Sequence, residues 1–148
     1  MGRIQNVDTL TNHGHTAGRK ALVEILGAGM DACDPGNNVR RLVRRDGDIL
    51  TIGSPDFEPE GDPRSGNEVI DLRQVGRIFV VGAGKGVQFT AKALEDILGD
   101  RLTGGHLIDK QGTPLILSRV GVTFGAHPIP DEGCVEGCRR ILELCADL

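Results

Sequence analysis

Ile78-Phe79-Val80-Val81-Gly82-Ala83-Gly84-Lys85-Gly86 runs from an unbroken apolar stretch into a glycine-rich turn that carries a lysine. A short apolar run ended by glycine reads as a strand buried on both faces, as in a parallel sheet. Immediately after it, Val87, Ala91, Leu94 and Leu98 fall on one helical stripe, and Gly99 supplies the stop. Leu107 and Ile108 begin a second strand, and Val120, Val122 and Phe124 alternate in a third. Strand, helix and strand within about 30 residues make a βαβ unit with a right-handed crossover. The expected fold is α/β: a parallel, Rossmann-like sheet with helices on both faces.

Toward the N-terminus, residues 1–16 read as a flexible arm. From Ala17 to Cys33 the apolar positions Leu22, Ile25, Leu26, Met30 and Cys33 recur at helical spacing. Asp34-Pro35 then supplies an N-cap and a proline at the first helical position, opening a short helix through Val39 and Leu42. Leu42 to Ile52 predicts a hairpin turning on Asp46-Gly47. Ser54 to Gly66 is rich in proline and acid and reads as an exposed loop, the one segment suited to a linker. Val69 to Leu72 predicts a short strand. In the C-terminal part, Pro128 and Pro130 stiffen a loop, and Asp131 or Glu132 opens a last helix. That helical pattern runs to Leu148 without a capping glycine or polar tail, which reads as a fragment boundary.

Composition narrows the function classes. With 148 residues, 39% hydrophobic and 26% charged, the chain is sized for one domain. Tryptophan and tyrosine are absent and phenylalanine occurs four times, so the core must be aliphatic. A net charge of −4 without a basic block argues against nucleic acid. No apolar run approaches the ~18 residues of a membrane span, and the first residues lack an apolar signal segment, so the expected location is the cytoplasm. The four cysteines include no C-x-x-C pair. Cys134, Cys138 and Cys145 share a helical stripe with Ile141, and together with Cys33 they are expected to be packing residues.

The lysine turn is the first candidate site. A Walker A loop fails at two positions, because Phe79 stands for its first glycine and Gly86 for its Ser/Thr. The dinucleotide fingerprint matches at Gly82 and Gly84 but has Val87 in place of the third glycine, with Asp109 placed for a ribose. The bland alternative is that the glycines only let a helix pack on its strand. Lys85 argues against it, since a lysine at the electropositive end of a helix is unfavourable unless an anion joins it. Gly82, Ala83, Gly84, Lys85 and Gly86 are therefore read as an anion-binding turn. The second constellation is Gly125-Ala126-His127-Pro128-Ile129-Pro130-Asp131-Glu132 at the end of another strand. Ligands in open α/β sheets sit beyond the carboxyl ends of strands, so this loop and the lysine turn should share one edge. His127 is open between binding an anion, acting as a base and fixing the loop; Lys110 would add charge nearby. Asp131 and Glu132 are read as first-turn acids, and Arg139-Arg140 as a solvated face.

From Arg19 onward the chain resembles the glycerate 2-kinase family, whose C-terminal half is the MOFRL domain. The resemblance rests on Asp34-Pro35, the Asp46-Gly47 hairpin, Val80-Val81-Gly82-Ala83-Gly84-Lys85, Ala93-Leu94-Glu95, Leu98-Gly99-Asp100-Arg101, Thr103-Gly104-Gly105 and Ala126-His127-Pro128-Ile129-Pro130-Asp131-Glu132. It implies that residues 17–148 are an N-terminal α/β domain, truncated and without the MOFRL domain. It also implies ATP-dependent phosphorylation of D-glycerate to 2-phosphoglycerate with Mg²⁺, Lys85 contacting the substrate or the transferring phosphoryl group. A C-terminal domain or partner chain would complete the site. Some family members carry a hydroxypyruvate reductase label, which leaves an NAD(P)-dependent enzyme, or a non-catalytic anion-binding module, as alternatives. Two departures stand out. Gly86-Val87-Gln88-Phe89-Thr90 replaces a run of small residues and methionine, and Thr113 replaces a common histidine after K-x-G.

Overall fold

Side-chain caps set the helix starts in the first third of the chain. In the computed structural model, which describes residues 3–54 and 67–146, His15 Nδ1 accepts from the Gly18 N–H at 3.1 Å and opens α2 (Thr16–Ala32). Asp34 Oδ1 accepts from the Asn37 N–H at 2.7 Å. With Pro35 at its start, α3 runs Pro35–Leu42, as the Asp-Pro pair predicts. The Asn37 N–H, and after it the Arg3 guanidinium, hold the Asp34 carboxyl below its usual range. The segment read as an arm carries a short helix, α1 (Val7–Thr11), tied to α2 by an Arg19 Nη1 bond to the Leu10 carbonyl at 3.2 Å. The apolar stripe of α2 correctly predicts a helix, yet Leu22, Ile25, Leu26 and Met30 are all exposed. α2 packs on α1 and α3 instead of on a sheet, and the stripe faces outward.

Two three-stranded sheets follow. In the first, β1 (Val43–Asp46), β2 (Ile49–Ile52) and β3 (Glu68–Asp71) are antiparallel in chain order. Asp46 stands opposite Ile49, so the two-residue turn is Gly47-Asp48, one residue later than the sequence reading. Gly47 has φ 56°, the positive value that a type II′ turn requires at its first central position. Of the expected proline-rich loop, residues 55–66 lie outside the described residues.

The second sheet comprises β4 (Phe79–Ala83), β5 (Gly104–Lys110) and β6 (Gly121–Gly125), parallel throughout and ordered β4-β5-β6. α4 (Val87–Leu98) makes the crossover from β4 to β5, and α5 (Glu132–Ala146) follows β6. Alternation along β5 places these helices on opposite faces. A Cβ on Gly82 would stand 2.9 Å from Val87 Cγ2 and 3.5 Å from Leu107 Cδ2, on the α4 side. A Cβ on Gly137 of α5 would meet Ile108 Cγ1 at 2.5 Å, on the other side. The expected α/β architecture is therefore present. The core lies on the α4 face, where Leu72 and Leu107 are wholly buried with Ala91, Leu98, Leu102 and Val120. Arg45 of β1 donates to the Leu98 carbonyl and, at 3.1 Å, to Asp100, putting a cation at the negative end of the α4 dipole.

Two expectations need correction. β4 is an edge strand, and Val81 is 47% exposed, because α5 lies over β5 and β6 and leaves that face of β4 uncovered. The unbroken apolar run could not distinguish an edge from a centre. The cysteines are not a packed stripe either: Cys33, Cys138 and Cys145 are exposed and Cys134 is half-buried. α5 presents Cys134, Gly137, Ile141 and Leu144 to the sheet, a stripe rotated from the one read through Cys138 and Cys145. Among the described residues no helix is long and apolar enough to cross a membrane.

Candidate anion pocket at the strand ends

The register of β4 with β5 closes at Ala83 opposite Ile108, and the Gly84 N–H adds one more bond to the Ile108 carbonyl at 3.0 Å. The chain then turns through Gly84 at φ 119° and Gly86 at φ 76°, conformations in which glycine meets no Cβ penalty. Gly86 caps α4 and its carbonyl receives the Phe89 N–H at 3.1 Å. Lys85 is carried between the two glycines, exposed. Among the described residues it has no ion-pair or hydrogen-bond partner.

At the end of β5, Asp109 is only 3% exposed. Its Oδ2 accepts from Gln88 Nε2 at 2.8 Å, and its Oδ1 from the Lys110 N–H at 2.7 Å. At the end of β6, Asp131 Oδ1 accepts the Ala126 N–H at 3.0 Å and the Cys134 N–H at 3.3 Å. It thereby joins the strand exit to the first turn of α5. These N–H groups, Ala126 foremost, hold the Asp131 carboxyl below its usual range. Gln111 ties the two exits together, donating through Nε2 to Asp131 Oδ2 at 2.9 Å and through its backbone N–H to the Gly125 carbonyl at 2.9 Å.

These three exits surround a pocket of about 270 Å³ on the α5 side of the sheet. Lys85, Lys110 and His127 line it with Asp109, against an apolar wall that includes Cys134 and Cys138. The lysine turn and the His127 loop thus share one edge, as the strand topology predicts. Of the residues read as a site, Ala83, Gly84, Lys85 and His127 line the pocket. Gly82 and Gly86 do not: Gly82 gives Val87 room to pack, and Gly86 caps the helix. His127 is exposed and joins Pro128 through a cis peptide. Arg139 and Arg140 pair with Glu136 and Glu143 on the exposed face of α5, the solvated role expected of them. Among the described residues, no cluster of three or more His, Cys, Asp or Glu side chains is arranged to hold a metal ion.

Gln88 was missed from the sequence. It is 1% exposed, and besides Asp109 it donates to the Pro114 carbonyl at 3.1 Å and accepts the Ile116 N–H at 3.0 Å. The segment between β5 and β6 has no regular structure of its own, so its backbone groups need partners from elsewhere. The available signal was a polar residue three positions before Ala91, on the buried stripe of a helix facing such a connection. Replacing Gln88 by leucine leaves the Ile116 N–H and a buried Asp109 oxygen unpaired, an expected loss of about 2 kcal/mol. Urea unfolding of the variant measures it.

A family model described as "Domain of unknown function (DUF4147)" matches residues 21–148. The chain belongs to this DUF4147 family. Glycerate 2-kinase of Pyrococcus horikoshii is 27% identical over 126 residues, covering 85% of this chain and 25% of the relative. D-glycerate 2-kinase of Thermotoga maritima is 29% identical over 57% of this chain and 21% of its own length. An Agrobacterium vitis protein with the provisional name hydroxypyruvate reductase is 32% identical over 50% of this chain and 19% of its own length. The crystal structure of the PH0495 protein from Pyrococcus horikoshii superposes with a TM-score of 0.66 at 26% identity, covering 85% of this chain and 25% of that one. The resemblance to the glycerate 2-kinase family therefore holds, and this DUF4147 chain spans about a quarter of the length of the curated relatives it matches.

Proposed function

We propose that this chain forms the lysine-bearing part of a glycerate 2-kinase active site, in which ATP phosphorylates the 2-hydroxyl of D-glycerate to give 2-phosphoglycerate. The observation that carries the reading is the convergence of Lys85, Lys110 and His127 on one pocket at the carboxyl ends of the parallel strands. Phosphoryl transfer asks a protein for positioning and charge neutralisation more than for covalent chemistry. A lysine carried between two left-handed glycines at the start of α4 puts a positive charge beside a helix N-terminus, which fits the phosphates of ATP or the acid substrate. The residues present do not fit Mg²⁺. Asp109, the carboxylate among the pocket-lining side chains, is bonded to Gln88 Nε2 and the Lys110 N–H, so metal ligands would come from the nucleotide or from elsewhere.

The same geometry counts against a nicotinamide enzyme, because the Asp109 carboxylate is turned inward to Gln88 and away from any ribose. In this reading residues 17–148 act in the cytoplasm as half of a site, the rest supplied by a further domain or a partner chain. A coupled assay for 2-phosphoglycerate from D-glycerate, ATP and Mg²⁺ is expected to be silent with this chain alone. Ordinary turnover by the chain alone would sink the half-site reading. Direct titration tests the kinase reading itself: Lys85→Ala should weaken binding of ATP or inorganic phosphate about 10- to 100-fold, the worth of one charge-assisted bond. Binding that ignores Lys85 would overturn it.

A further inference from the structure

Lys110 occupies a position equivalent to that of Lys85. Ala83 and Ile108 are the last registered pair of β4 and β5, and each lysine comes two residues beyond its member of that pair. The two cations therefore leave neighbouring strands at one level, and both line the same pocket. Lys110 shares the face of Ile108, the face toward α5. Neither ammonium has a partner among the described residues, whereas Arg40, Arg45, Arg73, Arg139, Arg140 and Lys92 are each ion-paired.

The backbone of Lys110 is also fixed more firmly than an exposed loop lysine needs. Its N–H is held by the Asp109 carboxylate, itself anchored by Gln88, and its carbonyl accepts Thr113 Oγ1 at 2.9 Å. Gln111 next to it is bonded to the Gly125 carbonyl and to Asp131. Two lysines at one pocket repel each other, and Asp109, the carboxylate that lines the pocket with them, is already engaged by Gln88 and the Lys110 N–H, so a ligand with two negative groups relieves the repulsion.

We propose that Lys110 is the selectivity residue of this pocket, taking the carboxylate of the ligand while Lys85 takes its phosphate. This rests on the kinase reading and adds a residue to it: Lys110 is what separates a phosphorylated acid from a phosphorylated alcohol. The test compares 2-phosphoglycerate, glycerol 2-phosphate and inorganic phosphate by calorimetric or NMR titration of the full chain. The wild-type protein should prefer 2-phosphoglycerate over glycerol 2-phosphate about tenfold. Lys110→Gln should erase that preference while leaving glycerol 2-phosphate binding in place, and Lys110→Arg should retain it. Lys85→Ala should weaken all three ligands. A preference unchanged in Lys110→Gln, with phosphate still bound through Lys85, would overturn the role of Lys110 and leave the kinase reading intact. No measurable binding of any of the three by the wild-type chain would overturn both.

Discussion

Alanine in place of Gly105 is expected to cost about 3 kcal/mol or more, a large effect for one added methyl group. Gly105 stands opposite Val80 in the β4–β5 ladder. A Cβ there would collide with the Val80 carbonyl oxygen and come within 2.9 Å of the Val80 nitrogen and carbonyl carbon. All three are backbone atoms, so no side-chain rotation relieves the contact and the strands must move apart. β4 is the edge strand, which makes its detachment the easiest response. Detachment would carry the lysine turn away from Lys110 and His127. Gly105→Ala should therefore lower the urea midpoint and abolish phosphate binding together. Gly76→Ala provides the control, since a Cβ at Gly76 meets nothing within 4 Å, and its effect should stay within about 0.5 kcal/mol. Equal losses in the two variants would show that the close β4–β5 approach is not what the glycine serves.

The parts of the fold legible in the sequence were those fixed by local chemistry. Asp34-Pro35 named a helix start, Gly99 a helix stop, and the glycine turn after an apolar run named the strand–helix junction; each depends only on adjacent backbone geometry. That the lysine turn and the His127 loop meet also followed, because parallel topology puts consecutive strand exits on one edge. What stayed hidden depended on who packs against whom. Periodicity gave α2 a helix but not a partner, and gave β4 a strand but not its edge position. On α5 the cysteine stripe looked apolar, yet Gly133 and Gly137 face the sheet so closely that a Cβ there would clash with Phe124 and Ile108. Glycine contributes nothing to an apolar pattern, so the contact face was displaced toward the sulfur atoms. The bonding roles of Gln88 and Glu95 stayed hidden for a related reason: each looks like a surface polar residue until the irregular β5–β6 connection is folded over it.

Glu95 is the stronger of these two anchors, and its loss is the other large effect expected. The residue is 4% exposed. Its Oε1 accepts the Arg119 N–H at 2.7 Å and the Ser118 and Val120 N–H groups at 3.1 Å each. Burial pushes its carboxyl up, but the N–H groups of Arg119, Val120 and Ser118, with Lys92 nearby, outweigh that and hold it below its ordinary value of 4.5. Glu95→Ala strands three backbone donors, one of them at buried Val120, for an expected loss of about 3 kcal/mol at neutral pH. The depressed carboxyl also sets the sign of a pH effect. A group that is more acidic folded than unfolded stabilises the native state above its ordinary value, and that contribution disappears as pH falls through the folded value. Wild-type stability should therefore decline below about pH 4.5. Glu95→Gln keeps an acceptor oxygen for part of the cluster, so it should lose less than alanine at pH 7 while showing a shallower acid decline. Denaturant unfolding of all three proteins between pH 7 and pH 3 separates the possibilities. An acid slope in Glu95→Gln equal to that of wild type would assign the decline to other carboxylates and reduce Glu95 to a neutral hydrogen-bond acceptor.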